Sequence, residues 1–295
     1  FYYGSVNIGP LWEVVEIFPV AFAFLPDLLF GVWGLLAAFA IMAGGAAIPL
    51  AKITEERLRL PWTGVAVAAI YLLSLPIWGQ RTGAITFGTE LAFPLFFFAG
   101  YALLLKGRHR LALTVFAGSA FVHWGYGDAV ALLGLLILVG LFPEFPSRLR
   151  SGTALMAAGV APVVFGWLLV PWGANLGDSL GSATTSVMPL PPLELLTLVF
   201  LLVLPFALAP LLSPRWLLLT LPFFALMALY GGHYALSLFH SVHVTAYLPF
   251  ILLAFIDGLR RVPGPQRWPI LALSLGITLA LAAFAWGLAA PLSWF

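Results

Sequence analysis

The sequence predicts an all-α polytopic membrane protein with about ten transmembrane helices, some of them short or re-entrant, and with both termini outside. Composition is the first observation behind this: 62% of the 295 residues are hydrophobic and only 8% are charged, whereas a soluble domain needs about a quarter of its residues charged. The second is a series of apolar runs divided by charges or by Pro and Gly. The third is that the cations fall at alternate connections between these runs.

The chain divides into an outer interfacial segment, residues 1–27, and a single transmembrane helical domain, residues 28–295. In the first segment the run 10–25 carries Glu13 and Glu16 and is interrupted by Pro19, which indicates a helix lying in the membrane interface rather than a crossing. The candidate crossings are 28–50, 62–79, 91–105, 111–124, 129–142, 152–170, 193–212, 216–230, 244–258 and 268–290. Several are shorter than the roughly 20 residues that a perpendicular helix needs. The two runs beside Gly125 have the alternative of forming one re-entrant pair.

The placement of the thirteen Lys and Arg residues predicts which side faces the cytoplasm. With this number of crossings, all of them except Arg81 fall on one side, and the positive-inside rule makes that side cytoplasmic. The chain is therefore expected to be a multi-pass protein integral to a cytoplasmic (plasma) membrane. It begins at Phe1 without Met, so an outside N-terminus predicts an upstream helix or a cleaved signal, and we favour the helix.

Several kinds of chemistry lack their sequence signatures. The chain has no cysteine, which excludes disulfides, a thiol nucleophile and a Cys-ligated metal site. It has no glycine-rich nucleotide loop, no zinc signature motif and no nucleic-acid signature. A transporter is the weaker hypothesis, because the chain has no obvious internal repeat and its spans contain few charges.

Most of the unusual polar residues fall on the predicted outer side. His123, Tyr126 and Asp128 surround two glycines in the stretch H-W-G-Y-G-D, and glycine permits the tight outer turn predicted here between two short helices. Backbone freed from a helix at membrane depth must be buried in protein or line a wet cavity. The stretch therefore indicates an outward-facing vestibule or a buried turn.

Ionisable groups near a membrane are functional hypotheses by default, but the acids on this side also have structural interpretations. Glu13 and Glu16 lie three residues apart, as on the wet face of an amphipathic helix. Glu90 stands at the first turn of a predicted helix, where a carboxylate favours the helix dipole. Asp128 fits equally well as a cap for a helix that starts at Ala129.

The basic residues of the outer side are similarly ambiguous. Arg81 has a pairing partner in Glu90. His240 and His243 have the i, i+3 spacing that suits a metal, but no glutamate motif accompanies them. Hydrogen-bonded histidines at the membrane interface fit the same spacing, so both alternatives stay open.

Several stretches of the chain, taken in order, resemble a known family. They are N-I-G-P-L-W-E-V-V-E-I-F-P near the start, T-F-G-T-E-L-A-F-P, G-Y-G-D-A-V-A-L-L-G-L-L and, most clearly, residues 211–222 and 243–261. Together they resemble the predicted membrane-protein family called domain of unknown function 2079, which is placed beside the GT-C glycosyltransferases. The resemblance covers nearly the whole chain and implies a GT-C-like core.

The resemblance implies transfer of a sugar from a polyprenyl-phosphate carrier on the outer face of the membrane. A carboxylate would take the acceptor's proton, and a divalent metal is expected to steady the departing phosphate if the chain is catalytic. The expected partners are the lipid bilayer, a polyprenyl-phosphate sugar and, under the alternative hypothesis given below, other membrane subunits. The candidate catalytic residues are Glu90, Asp128 and His243, and the candidate substrate-binding residues are Glu13, Arg81, Tyr126 and His240; no metal ligand is assigned.

The chain departs from the family pattern at three of its motifs. Asn7 stands where the family has His, Gly88-Thr89 precedes Glu90 where the family has His-Pro, and Tyr126-Gly127 precedes Asp128 where it has Lys-Glu. The first helix of the superfamily and the acid after it would precede Phe1. These departures favour a second hypothesis, a non-catalytic scaffold or accessory subunit of a larger membrane complex, whose Phe- and Trp-rich exterior packs other helices or pigments. From the sequence alone, whether the chain is an enzyme stays open.

Overall fold

The computed structural model describes residues 25–74, 92–122, 126–169, 192–193, 196, 199, 203–222, 224–225 and 242–289. Every regular element in these ranges is a helix, which confirms the predicted all-α class. The predicted interfacial helix at 10–25 lies outside the described residues, apart from Leu25.

Nine α-helices follow one another along the described parts of the chain. They are α1 Leu25–Leu58, α2 Thr63–Leu73, α3 Ala92–Leu105, α4 His109–Ser119, α5 Gly127–Val139, α6 Arg148–Leu169, α7 Pro214–Leu217, α8 Val242–Arg261 and α9 Gly264–Ala289. Short 3-10 turns flank α7 at Leu204–Phe206, Ala209–Leu212 and Leu218–Thr220. The predicted runs therefore coincide with helices except in the region between α6 and α8.

Two stretches of the described chain are long and apolar enough to cross a membrane, Leu36–Leu58 of α1 and Gly264–Ala283 of α9. Three further apolar helices, α2, α3 and α5, are shorter than a perpendicular crossing requires. The described residues thus contain two spans by this criterion, against the predicted total of about ten.

The predicted crossing at 193–212 differs from the structure, because its described end is not a continuous helix. Residues 203–212 form two separate 3-10 turns, each with a proline in its first positions. Between the turns, Ala207 and Leu208 take left-handed backbone conformations, with φ of 49° and 59°. Proline lacks the N–H that a helix interior needs, so a uniformly apolar run here folds into turns instead of a rod.

Glycine allows α5 and α6 to pack with their backbones in close approach. A Cβ atom added at Gly159 of α6 would lie 2.3 Å from the carbonyl oxygen of Gly127 on α5. One added at Gly134 of α5 would lie 2.6 Å from the carbonyl oxygen of Gly152 on α6. Small residues at such contacts are the usual means by which membrane helices associate without a hydrophobic driving force. The pairing makes α5 and α6 an antiparallel hairpin.

We expect Gly159→Ala to lower the free energy of unfolding by about 1–3 kcal/mol, because the new methyl group meets backbone atoms that cannot rotate away. The matched control is Gly276→Ala in α9, where an added Cβ has no neighbour within 4 Å. That variant should gain roughly 0.4–1 kcal/mol through reduced entropy of the unfolded chain. Denaturant titration of the detergent-solubilised protein measures both, and equal effects would contradict the close helix contact.

Aromatic rings fill the space between α3, α4 and α8. The Phe97 ring of α3 stands edge-on to Phe116 of α4 at 5.0 Å between centroids and to Phe250 of α8 at 4.9 Å. Trp216 of α7 is fully buried and packs edge-on to Tyr101 at 5.1 Å. Edge-to-face ring pairs contribute about 0.5–1.5 kcal/mol beyond their buried area. This packing fixes how the ends of these helices meet.

Candidate functional site

One end of the helix bundle holds four charged side chains and one tyrosine that we call the ionic cluster: Arg57, Tyr101, Glu144, Arg215 and Asp257. They come from the last turn of α1, from α3, from the loop after α5, from α7 and from the last two turns of α8. The side chains are largely buried, with exposures of 15% for Arg57, 14% for Glu144, 23% for Arg215 and 8% for Asp257. Buried charges of this kind persist only when they are paired.

The carboxylate of Glu144 sits at the centre of the ionic cluster. Its Oε2 accepts a hydrogen bond from Arg215 Nη1 at 3.1 Å, and its Oε1 accepts one from the Tyr101 hydroxyl at 3.2 Å. Arg57 Nη2 lies 3.7 Å from the same Oε1 and donates to the Tyr101 hydroxyl. One glutamate thus joins α1, α3 and α7.

Asp257 makes the second half of the ionic cluster. Its Oδ2 accepts hydrogen bonds from Arg215 Nε at 3.2 Å, from Arg215 Nη2, and from the indole Nε1 of Trp216 at 3.0 Å. Its Oδ1 lies 3.6 Å from Arg260 Nη1. Both Arg215 donors converge on the same oxygen, and hydrogen bonds between charged groups of this kind are stronger than those between neutral groups. Asp257 therefore anchors α8 to α7.

Arg215 is held between rings as well as acids. Its guanidinium lies 5.4 Å from the centroid of the Phe142 ring and 5.7 Å from that of Trp216. Burial by itself lowers the pKa of the Arg215 guanidinium, but the hydrogen bond to Asp257 and the negative charges of Asp257 and Glu144 outweigh it, so the pKa is raised above its ordinary value. Arg215 is consequently a permanent cation whose charge is already neutralised. The ionic cluster links α1, α3, α7 and α8, and each of its two carboxylates is paired with Arg215.

The same end collects further helix termini. Arg267, in the first turn of α9, donates to the carbonyl oxygens of Leu58 at 3.2 Å, Val262 at 2.9 Å and Arg260 at 3.2 Å. These carbonyls belong to the last turns of α1 and α8 and to the residue after α8, where cations favour the negative end of the helix dipole. We call this the basic end of the bundle. It joins residues from four of the connections predicted to be cytoplasmic.

The N-terminal ends of α3 and α5 lie at the other end of the bundle, which we call the acidic end. Phe93 in the first turn of α3 is 4.7 Å from the ring of Tyr126, the residue before α5, and 6.0 Å from that of Phe250 in α8. Tyr126 is only 2% exposed, so the predicted turn is of the buried kind rather than an open vestibule at this residue. With thirteen residues in α5, the two ends are roughly 20 Å apart.

Asp128 is exposed at the acidic end, in the first turn of α5. The helix begins at Gly127, before the predicted start at Ala129, and so Asp128 lies within it rather than preceding it. Its Oδ1 accepts a hydrogen bond from the N–H of Ala129. This is the expected interaction of a carboxylate with the unpaired donors of a helix start, and Oδ2 has no hydrogen-bond partner within the described parts of the chain.

Most of the predicted site residues fall in parts of the chain that the structure does not describe. Glu13, Arg81, Glu90 and His240 lie outside the described residues, as does His123. His243 belongs to the first turn of α8, but its side chain is outside the description. Tyr126 and Asp128 are therefore the predicted site residues whose side chains have a known place, one buried and one exposed.

The ionic cluster is not among the predicted sites, although the sequence contains a signal for it. Glu144 and Asp257 are acids on the side of the membrane predicted to be basic, and each stands at the end of an apolar run. An acid so placed is expected to need a cationic partner. The segments 211–222 and 243–261, in which the family resemblance is clearest, meet here through Arg215, Trp216 and Asp257.

The described residues contain no group of three or more His, Asp or Glu side chains able to hold a metal ion. What the described geometry defines is a helical protein with charged side chains fastened at one end and an exposed acid at the other. No protein family, curated protein or solved structure matches the sequence or the fold.

Proposed function

We propose that the protein is a multi-pass enzyme of the cytoplasmic membrane, GT-C-like in architecture, that transfers sugar from a polyprenyl-phosphate donor at its outer face. The observation that carries the proposal is the separation of charge along the bundle. Arginines gather at the basic end, and Asp128 stands exposed roughly 20 Å away. Cations retained on the inner side and an acid on the outer side are what such an orientation requires.

The acidic end has features suited to a phosphate-linked sugar. The helix α5 directs the positive end of its dipole there, which favours the negative charge of a lipid phosphate. Glu90 lies two residues before the first residue of α3, and His243 is the second residue of α8. In the proposal these residues join Asp128: one carboxylate takes the proton of the acceptor hydroxyl, and His243 contacts the phosphate that departs with the lipid.

A transfer assay tests the proposed activity. The full-length protein, purified in mild detergent, is incubated with a radiolabelled polyprenyl-phosphate hexose, and the release of label from the lipid is measured with and without acceptors. We expect label to leave the lipid faster than in detergent alone. Absence of both binding and turnover with every polyprenyl-phosphate sugar would contradict the assignment.

A second proposed function is that of a non-catalytic subunit of a larger membrane complex. Exposed apolar side chains at the start of α1 support it. The first turns of this helix carry large apolar side chains that are far more exposed than a packed helix allows, among them Phe30 at 70% and Trp33 at 76%. Such a surface suits either lipid or a neighbouring subunit. Gentle solubilisation followed by size analysis separates the two, since a scaffold should co-purify with partners and an enzyme should run alone. An absorption spectrum of the same sample tests for bound pigment.

A further inference from the structure

We propose that the basic end contains a binding site for a phosphate group, in a cleft of 560 Å³ between the ends of α1, α3, α8 and α9. We call it the arginine cleft. Arg57, Arg59, Arg260 and Arg267 line it, with Glu56 and Glu144 as its acids and Leu58 and Leu105 as its apolar wall. The inference is independent of the proposed sugar transfer, because the site lies at the opposite end of the molecule.

The arginine cleft has more positive charge than its own acids neutralise. Four guanidinium groups face two carboxylates in its lining. One of those carboxylates, Glu144, is already engaged by Arg215 from outside the lining, as well as by Tyr101. An excess of cations in a partly enclosed space concentrates the field and attracts anions.

Arg267 carries much of this unneutralised charge. Its guanidinium donates to three backbone carbonyls, at Leu58, Val262 and Arg260, and to no carboxylate among the described residues. Carbonyl partners hold the group in a fixed position but leave its full charge uncompensated. A structural role as a cap for two helix ends explains the position of Arg267, although it does not explain why three further arginines converge on the same space.

The other arginines retain unused donors. Arg59 has no hydrogen bond or ion pair from its side chain within the described parts of the chain, and Arg260 makes a single long contact, 3.6 Å, with Asp257. The buried Nε of Arg57 also has no hydrogen-bond partner there. Unpaired guanidinium donors that line one cleft, on Arg59 just after α1 and on Arg260 of α8, suit an oxyanion that accepts from both at once.

Phosphate is the anion that this chemistry selects. Its oxygens accept hydrogen bonds from forked guanidinium groups, and the cleft has room for a phosphate with a small organic group attached. Basic pockets between helices on the cytoplasmic side of a membrane also bind the headgroups of anionic lipids. The leucines of the lining provide an apolar surface for the glycerol of such a lipid. Inorganic phosphate and a phospholipid headgroup share the recognised group, and experiment separates them.

The test compares a cleft variant with a matched control in the intact protein. The variant combines Arg59→Asn, which suits the left-handed backbone of that residue (φ 52°), with Arg260→Gln. The control is Arg110→Gln, which removes an exposed arginine that does not line the cleft. Arg59→Lys keeps the positive charge but loses the paired N–H donors of the guanidinium group. Thermal unfolding of each protein shows that the variants are folded.

Two probes are used. Binding of inorganic phosphate is measured by calorimetric titration in detergent. Binding of phosphatidylglycerol is measured by native mass spectrometry, after the protein has been transferred from phosphatidylcholine vesicles that either contain or lack phosphatidylglycerol. Each arginine removed from the cleft should weaken binding by about fivefold, which is the effect of roughly 1 kcal/mol per cation. If the cleft variant loses binding of phosphatidylglycerol but keeps binding of inorganic phosphate, the site is assigned to a lipid. If it loses binding of inorganic phosphate as well, the site is assigned to free phosphate. Either result supports the cleft.

Two results would overturn the proposal. The first is that the unmodified protein binds neither probe. The second is that Arg110→Gln weakens binding as much as removal of a cleft arginine, which would mean that the protein attracts anions through its overall charge. If the double variant does not fold, Arg59→Asn alone answers the question, because Arg59 is exposed and its side chain makes no hydrogen bond or ion pair with any other described residue.

Discussion

Replacing Asp128 by asparagine is expected to slow sugar transfer by roughly 10²–10⁴-fold, the contribution typical of a positioned general base. Asparagine keeps an oxygen that can accept the hydrogen bond from the N–H of Ala129, so the start of α5 should be preserved. It cannot take a proton from the acceptor hydroxyl, so the chemical step should fail. The measurement is kcat/KM for release of labelled sugar from the polyprenyl-phosphate donor.

Glu55→Gln is the control for this experiment, because it neutralises an exposed acid at the basic end and should leave the rate unchanged. Asp128→Glu should restore part of the activity, since the carboxylate returns in a displaced position. Glu90→Gln, assayed in parallel, shows which of the two acids acts as the base. Full activity in Asp128→Asn would remove Asp128 from the mechanism and return it to the role of a helix-start carboxylate.

Composition and charge placement predicted the helical class and the grouping of the arginines for a simple physical reason. Apolar residues without periodic polar faces form helices that satisfy their own backbone, and cations stay where water is. The alternation of apolar runs and connections alone predicts one side of the membrane for Arg57, Arg215, Arg260 and Arg267. These four residues lie at one end of the bundle. Which end faces the cytoplasm remains a prediction.

Helix boundaries were harder to predict, because a helix can extend beyond an apolar run and an apolar run can contain residues that are not helical. The run 28–50 ends two residues before Lys52, yet α1 continues to Leu58, since long cationic side chains reach water without ending a helix. At its start the same helix bends at Gly31, whose φ of 61° only glycine adopts freely. In 203–212 the opposite occurs, and prolines and left-handed residues break a run that reads as uniform.

Pairing across the chain could not be predicted, because it depends on which helices become neighbours. Arg215 and Asp257 are 42 residues apart, and Arg215 and Glu144 are 71 apart. Gly127 and Gly159 meet only because α5 and α6 fold back on one another. In a single sequence each of these residues has many potential partners, so the ionic cluster and the glycine contact are properties of the fold.

The ionic cluster should be the most sensitive point for stability, and Asp257→Ala is expected to lower the free energy of unfolding by about 3–5 kcal/mol. The aspartate side chain is only 8% exposed and accepts hydrogen bonds from Arg215 and Trp216. Its removal leaves a buried guanidinium half-paired and an indole N–H with no acceptor. Breaking one side of such a pair costs more than the pair is worth, because the remaining charge stays desolvated.

Two variants separate the charge of Asp257 from its hydrogen bonds. Asp257→Asn keeps an acceptor for the Trp216 indole and removes the charge that faces Arg215, so its loss of stability should be smaller than that of the alanine variant. Glu55→Ala, which removes an exposed acid from the same end, should change the unfolding free energy by less than about 0.5 kcal/mol. Denaturant titration in detergent measures all three. Asp257→Ala could instead lose no more unfolding free energy than Glu55→Ala, and that result would contradict the prediction. It would mean that ring packing around Trp216 holds α7 and α8 together and that the ion pairs add little to the stability of this contact.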